Sequence, residues 1–232
     1  MLSTGYSAID ANFGGLLLGE INLLLCSAPY VKTAFLAGIV SQTLDDGGSV
    51  FYIDLDTIFT VYLRHGVYEV PRSENLSIFN PGVLEIDETI AKICSVNHHD
   101  LKLIVLDSVN TFYHQFDSGS QFSGLNRYLS VCVSLLKDLS RRVGAAVAVS
   151  SLPVARRAAS QGRYSWVLSH PGGRVLKLKS ELMMSIDGAG RDLVVEVLKS
   201  PGTKQNGVKL RLPYDELLKT KQREAEPNRH RK

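Results

Sequence analysis

The sequence predicts one α/β domain in which helices flank a mostly parallel central sheet, with an antiparallel extension at its C-terminal end. Two observations lead to this fold class. Short apolar runs alternate with segments of helical periodicity, and three strand-like segments follow one another after residue 180. At 232 residues the chain is long enough to bury one core of ordinary size. We assign residues 1–216 to this domain and residues 217–232 to a basic, disordered tail.

Each element of this fold has a local signature. Four almost continuous apolar runs are typical of parallel strands covered on both faces, and they lie at residues 21–25, 49–55, 101–107 and 145–151. Helical periodicity is found between them, at residues 33–44, 83–96 and 125–143. The segments "ELMMSID", "RDLVVEVLKS" and "GVKLRLPY" are predicted to form an antiparallel meander that extends the sheet at one edge.

Composition excludes several classes of protein. Hydrophobic residues make up 44% of the chain and charged residues 21%, which is typical of a folded domain. No apolar run approaches the roughly 18 residues of a membrane span, and the N-terminus lacks the layout of a secretory signal. The cysteines at positions 26, 94 and 132 form no CxxC pair, so neither a disulfide framework nor a zinc site is predicted. We expect an intracellular protein, in the cytoplasm and nucleoid, or in the nucleus of a eukaryote.

Charge is distributed unevenly along the chain. Residues 153–180 contain six basic residues and no acidic one, and residues 217–232 contain six basic and two acidic residues. These segments carry +6 and +4 of a net charge of +3, so the remainder of the chain carries −7. A mildly acidic body with two basic attachments indicates a polyanionic partner.

The stretch "CSAPYVKT", residues 26–33, ends in the Lys-Thr of a phosphate-binding loop and follows an apolar strand. Such loops need glycines, but Cys26 and Val31 stand at both glycine positions, and Pro29 removes one backbone N–H. Phosphate binding of the ordinary kind is therefore not expected. One interpretation is an ATPase that has lost its nucleotide; the other is a coincidental Lys-Thr, with Lys32 at the surface of a helix start.

Several segments resemble the RecA/RadA recombinase superfamily. The opening "LSTGYSAIDANFGGLLLGEINLLL" is similar to the start of that core, and "GGSVFYIDLDTIF" and "LIVLDSV" are similar to its second and Walker-B strands. "GAAVAVSSLPVARR" and "GGRVLKLKSELMMSID" are similar to the segments on either side of its second DNA-binding loop. The resemblance extends over residues 2–213 and is greatest to the RadA-paralogue, or RadB-like, branch. It implies a RecA-like P-loop core.

The resemblance also assigns the residues of a vestigial nucleotide site. Lys32 and Thr33 match the end of the P-loop, Asp107 matches the Walker-B aspartate, and Asp56 matches the water-activating carboxylate, which is normally glutamate. Asp54, in the same strand as that position, is expected at a turn or sheet edge.

Departures from the family predict that this site is inactive. The loop glycines are missing, and residues 150–153, "SSLP", replace the "TNQV" whose glutamine senses the γ-phosphate. The N-terminal helix-hairpin-helix domain and its polymerisation linker are also expected to be absent. The expectation is a non-catalytic accessory paralogue with no nucleotide cofactor and no metal.

The DNA interface is predicted in residues 153–174, which would form the loop that faces DNA in this family. Basic side chains neutralise phosphates, and aromatic side chains stack on unpaired bases. The predicted contacts, including those from the tail, are Arg156, Arg157, Arg163, Tyr164, Trp166, Arg174, Lys177, Arg229, Arg231 and Lys232. The alternative is a solvated loop with Trp166 packed against the core.

Three functions remain open at this stage. The first is an accessory protein that binds single-stranded or branched DNA and assists a RecA/RadA-type recombinase in homologous-recombination repair. The second is a structural subunit of a heteromeric paralogue complex, which would dock through exposed Tyr30, Val31 and Phe35 and bind protein in place of DNA. The third is a weak ATPase that uses Lys32, Thr33, Asp56 and Asp107 on an unusual loop.

Overall fold

Ten strands and seven α-helices make up the described part of the computed structural model, which covers residues 1–68, 70–71, 74–95, 99–116, 122–160, 163–190, 192–202 and 206–213. The strands are Ile21–Cys26 (β1), Ser49–Asp54 (β2), Leu76–Phe79 (β3), Leu101–Asp107 (β4), Ala146–Ser151 (β5), Val154–Ser160 (β6), Arg163–Ser169 (β7), Ser180–Ala189 (β8), Asp192–Lys199 (β9) and Lys209–Pro213 (β10). The helices are Ser7–Phe13 (α1), Pro29–Asp45 (α2), Ile58–Arg64 (α3), Ile86–Ser95 (α4), Val109–Phe116 (α5), Phe122–Val143 (α6) and Gly173–Lys179 (α7), and a 3₁₀ turn at Val83–Glu85 precedes α4.

Eight of the described strands form one sheet in the order β10-β9-β8-β1-β5-β4-β2-β3. The four strands predicted from apolar runs lie next to one another at its centre and pair in parallel. Successive residues alternate between two cores, so that Leu24 packs with the first helices while Leu23 packs with α6. Burial on both faces is the reason why these strands have no polar side.

The C-terminal meander is confirmed. β8 joins the centre in parallel with β1, and β9 and β10 follow as antiparallel strands to the edge. The tail assigned to residues 217–232 lies outside the described residues, with its predicted contacts Arg229, Arg231 and Lys232.

Several features differ from the prediction, and the helices α1, α3 and α5 were not predicted. The first long helix begins at Pro29, four residues before the predicted start at residue 33. The short edge strand β3 was not predicted, because its four residues are only half-buried and its apolar pattern is weak. Residues 154–160 and 163–169 form two paired antiparallel strands and residues 173–179 a helix, where a loop was expected.

In the part of the chain that the structure describes, every helix is too short or too polar to cross a membrane.

Candidate functional site

The segment between β1 and α2 is short and leads directly into the first turn of α2. β1 ends at Cys26 and α2 begins at Pro29, a residue suited to the first helical turn because its missing N–H has no helical partner to lose. The backbone N–H of Lys32 donates to the Ala28 carbonyl at 3.0 Å, and the Thr33 hydroxyl donates to the Pro29 carbonyl at 2.9 Å. Groups that would bind phosphate and metal in a P-loop are thus engaged within the helix.

The Lys32 side chain is fully buried and points into the protein. Its Nζ lies 2.5 Å from Asp56 Oδ2 and 2.6 Å from Asp107 Oδ1. The interpretation that placed Lys32 at the surface is therefore wrong. Burial alone would lower the pKa of the Lys32 ammonium, but the charges of Asp107 and Asp56 offset this, and the net pKa is raised. This direction keeps Lys32 in its charged form at neutral pH.

Asp107, at the end of β4, has both carboxylate oxygens engaged. Besides Lys32, it accepts the Tyr52 hydroxyl at 2.6 Å on Oδ2 and the Ser150 hydroxyl at 2.6 Å on Oδ1. Burial raises the pKa of this carboxyl, and the adjacent Lys32 charge partly opposes the rise. Residues from β1–α2, β2, β4 and β5 therefore converge because parallel strands end at the same edge of the sheet.

Asp54 is the last residue of β2, which is not an edge strand, and this corrects the expectation of a turn or a sheet-edge position. Its strand, β2, lies between β3 and β4, and the side chain is fully buried. Oδ2 accepts the backbone N–H and hydroxyl of Thr60 at 2.8 and 2.6 Å, whereas Oδ1 has no hydrogen-bond partner among the described residues. Burial raises the pKa of Asp54 to about 6.

The three carboxylates form a cluster whose oxygens are mostly engaged by other groups of the described chain. Oxygens of Asp54, Asp56 and Asp107 lie within 4.8 Å of one another. Asp56 Oδ1 accepts the Ile58 N–H at 3.1 Å, so each oxygen of this described cluster except Asp54 Oδ1 already has a partner. Magnesium requires about six oxygen ligands in a regular octahedron. The ammonium of Lys32 already neutralises part of the charge that would attract a cation.

Two of the three predicted protein-docking residues are buried. Tyr30 is 53% exposed, but Val31 and Phe35 are fully buried. Val31 Cγ2 lies 3.1 Å from the position that a Cβ at Gly188 on β8 would occupy, and the Phe35 ring stacks on Tyr6 with 4.8 Å between the ring centroids. The expectation of exposure is wrong for Val31 and Phe35 because α2 packs against the sheet from its first turn.

The predicted DNA-facing segment contains a regular hairpin. β6 and β7 pair antiparallel over their full lengths, with Val154 opposite Ser169, Arg157 opposite Trp166 and Ser160 opposite Arg163. The side chains at 156–166 lie outside the described part of the structure, so the predicted contacts of Arg156, Arg157, Arg163, Tyr164 and Trp166 remain predictions. On α7, the side chains of Arg174 and Lys177 are exposed.

The base of the hairpin is attached to the end of β5 by side chains that the sequence did not single out. The Asn110 amide donates to the Leu152 carbonyl at 2.9 Å and accepts the Leu152 N–H at 2.7 Å. His170 Nδ1 lies 3.3 Å from the Ser151 hydroxyl oxygen, and burial lowers the pKa of His170. Ser150 binds Asp107, Ser151 contacts His170, and Leu152 binds Asn110. These three consecutive residues therefore connect the acidic cluster with the hairpin.

Comparisons with known proteins identify the fold. No family model matches the chain, and no curated protein matches it. A solved structure described as "Crystal structure of the RadB recombinase" superimposes with a TM-score of 0.68 at 18% sequence identity, covering 94% of this chain and 97% of that one. The predicted RecA-like fold class is thereby confirmed.

Proposed function

We propose that this chain is a RadB-like paralogue of the RecA/RadA recombinases, which binds DNA in homologous recombination without hydrolysing ATP. The observation that carries the proposal is the internal ion pair of Lys32 with Asp56 and Asp107, next to a loop already closed into a helix. The shared fold with a protein named as a recombinase supports the assignment to recombination.

Nucleotide binding would require the ion pairs of Lys32 and the first hydrogen bond of α2 to break. A phosphate at Lys32 would have to compete with the buried carboxylate of Asp107 and the partly buried one of Asp56, and release the N–H that bonds to Ala28. Leaving a buried charge without its partner costs about 3–5 kcal/mol. That cost corresponds to a loss of about two to four orders of magnitude in affinity relative to a preformed cradle.

Thermal unfolding with millimolar MgATP tests this part of the proposal. We expect an unchanged midpoint, whereas a RecA-fold ATPase with an intact P-loop, measured in parallel, should be stabilised by mass action. A midpoint that rises with MgATP concentration would contradict the proposal and favour the weak-ATPase alternative.

DNA binding is supported by charge. Residues 153–180 contain six basic residues and no acidic one, on a body that is otherwise acidic. This asymmetry favours a polyanion at the hairpin and α7, and single-stranded or branched DNA are the forms that recombination provides. A RecA/RadA-type recombinase or another paralogue is the proposed protein partner.

The triple variant Arg156→Gln/Arg157→Gln/Arg163→Gln tests the DNA interface. We expect weaker binding in fluorescence anisotropy, and a dependence of log K on log salt that falls by up to about three, one for each lost phosphate contact. The control, Arg64→Gln/Lys102→Gln/Arg211→Gln, removes the same charge from exposed positions on α3, β4 and β10. Equal losses of DNA affinity in both variants would show that the effect comes from net charge and not from this interface. If the unmodified chain binds no DNA, the protein-docking alternative is favoured.

A further inference from the structure

The outer face of α6 has an apolar centre between charged ends. Five exposed side chains recur every three or four positions and so form one stripe along the helix: Arg127, Val131, Leu135, Asp138 and Arg142. Val131 and Leu135, one turn apart at the centre of this stripe, are 52% and 45% exposed, whereas the opposite face of the helix is buried in the core. An apolar centre with a charged rim is the usual composition of a protein–protein interface.

The neighbouring helices support the α6 stripe on both sides and leave it uncovered. On one side, the Cys94 thiol on α4 donates to the Leu135 carbonyl at 3.9 Å, and Arg142 donates to the Cys94 carbonyl at 3.5 Å. On the other side, the Lys179 ammonium on α7 donates to the Ser134 hydroxyl at 2.6 Å. The stripe is therefore held in place before any partner binds, which lowers the ordering cost of association.

The order of charges along the α6 stripe fits a second copy of the chain in antiparallel orientation. A two-fold axis at position 133 places Val131 opposite Leu135 of the second copy, so that the two apolar side chains bury each other. The same axis places Arg127, six residues away from it, beside Asp138 of the second copy, five residues away. Arg127 forms no ion pair within the part of the chain that the structure describes, so its guanidinium is available for this contact.

Other occupants fit this order of charges less well. A parallel copy would bring each Arg127 against Arg127 and each Asp138 against Asp138, and like charges facing each other across an interface are unfavourable. A nucleic acid would meet the Asp138 carboxylate within the stripe, whereas a surface that attracts a polyanion carries one sign of charge. A stripe that is complementary to its own reversed copy is typical of a contact between two identical surfaces.

We infer that two copies of the chain associate through α6, with the two helices packed antiparallel across a two-fold axis at position 133. This contact goes beyond the proposed function and does not depend on it. Because one helix from each copy supplies the centre of the contact, the interface is at the small end of the range for specific complexes. We therefore expect a weak dimer, with a dissociation constant on the order of 10 µM.

Sedimentation velocity of the full chain between about 1 and 200 µM tests the contact. Arg127→Asp brings two carboxylates together at each end of the contact, and Asp138→Arg brings two guanidinium groups together there. Each variant alone should therefore self-associate about tenfold more weakly than the unmodified chain. An equimolar mixture of the two variants has opposite charges at both ends and should recover the association, which also shows that both variants are folded. A parallel contact would exchange one repulsion for another and predicts no loss in either variant.

A second pair of variants is the control. Arg64→Asp on α3 and Asp100→Arg just before β4 make the same charge changes at exposed positions away from α6, and they should leave the association unchanged. A chain that stays monomeric up to the highest concentration would overturn the inference and leave this face to a different protein. A dimer that both α6 variants form as readily as the unmodified chain would also overturn it, and so would a mixture that associates no better than its components.

Discussion

Lys32 is a buried cation with one partner at the end of β4, Asp107, and one just after β2, Asp56. Its Nζ reaches Asp56 and Asp107 within 2.6 Å, and the side chain has no exposed surface. The resemblance to RecA-like proteins assigned these three residues to one site, and the parallel sheet brings them to the same edge. The sequence did not predict that Lys32 points inward, since that depends on α2 beginning at Pro29 and on Tyr52 and Ser150, which complete the shell of Asp107.

Removing this cation should destabilise the fold. Lys32→Met leaves Asp56 and Asp107 without a counter-charge, and we expect the free energy of unfolding to fall by about 3–5 kcal/mol. Urea unfolding measures the change, and Lys102→Met, at an exposed position on β4, should change it by less than about 0.5 kcal/mol. Equal stabilities of the two variants would show that the ion pair does not form.

Asp54 should make stability depend on pH. Its pKa is raised from 3.8 to about 6 in the folded chain, so the folded state holds the proton more tightly than the unfolded state. Stability from this group is therefore greatest below about pH 4 and is lost as the pH rises through 6, by at most about 3 kcal/mol. The raised pKa of Asp107 acts in the same direction.

Urea unfolding at intervals between pH 4.5 and 7.5 measures this dependence. The Asp54→Asn variant, which keeps an oxygen to accept from Thr60, should show a flatter profile. An unchanged slope in this variant would assign the pH dependence to other groups.

The hairpin is the element that changed most between sequence and structure. Gly, Pro and basic residues in 153–174 favoured a loop, but "VARRAAS" and "RYSWVLS" pair along their full lengths. The central strands were predictable because burial on both faces leaves a continuous apolar run. The hairpin was not, because it has no second sheet behind it and its pairing depends on an attachment from Asn110 in α5.

Asn110→Ala should loosen the hairpin without unfolding the sheet. The variant loses both hydrogen bonds to Leu152, so we expect faster amide hydrogen exchange in residues 154–169, unchanged exchange in β1 and β4, and weaker DNA binding. Asn12→Ala, on the exposed surface of α1, is the control. Exchange that rises equally in the hairpin and the central strands would indicate global destabilisation instead.

At the scale of the whole molecule, the charge distribution and the connection between the carboxylate cluster and the hairpin both support the proposed function. An acidic body carries a basic hairpin and helix, and the hairpin is joined to the carboxylate cluster through Ser150, Ser151 and Leu152. In this arrangement Lys32 pairs with the cluster, and the cluster is connected to the hairpin that is proposed to bind DNA. DNA binding should then be independent of nucleotide.

The independence of DNA binding from nucleotide can be measured, because a nucleotide that changes the affinity for DNA must itself bind to the protein. The most direct measurement is a fluorescence-anisotropy titration of branched DNA at low and moderate salt, with and without MgATP. We predict binding that weakens with salt and has the same affinity with and without MgATP. An affinity that changes with MgATP would contradict the closed nucleotide site, and the absence of DNA binding at either salt concentration would contradict the proposed function.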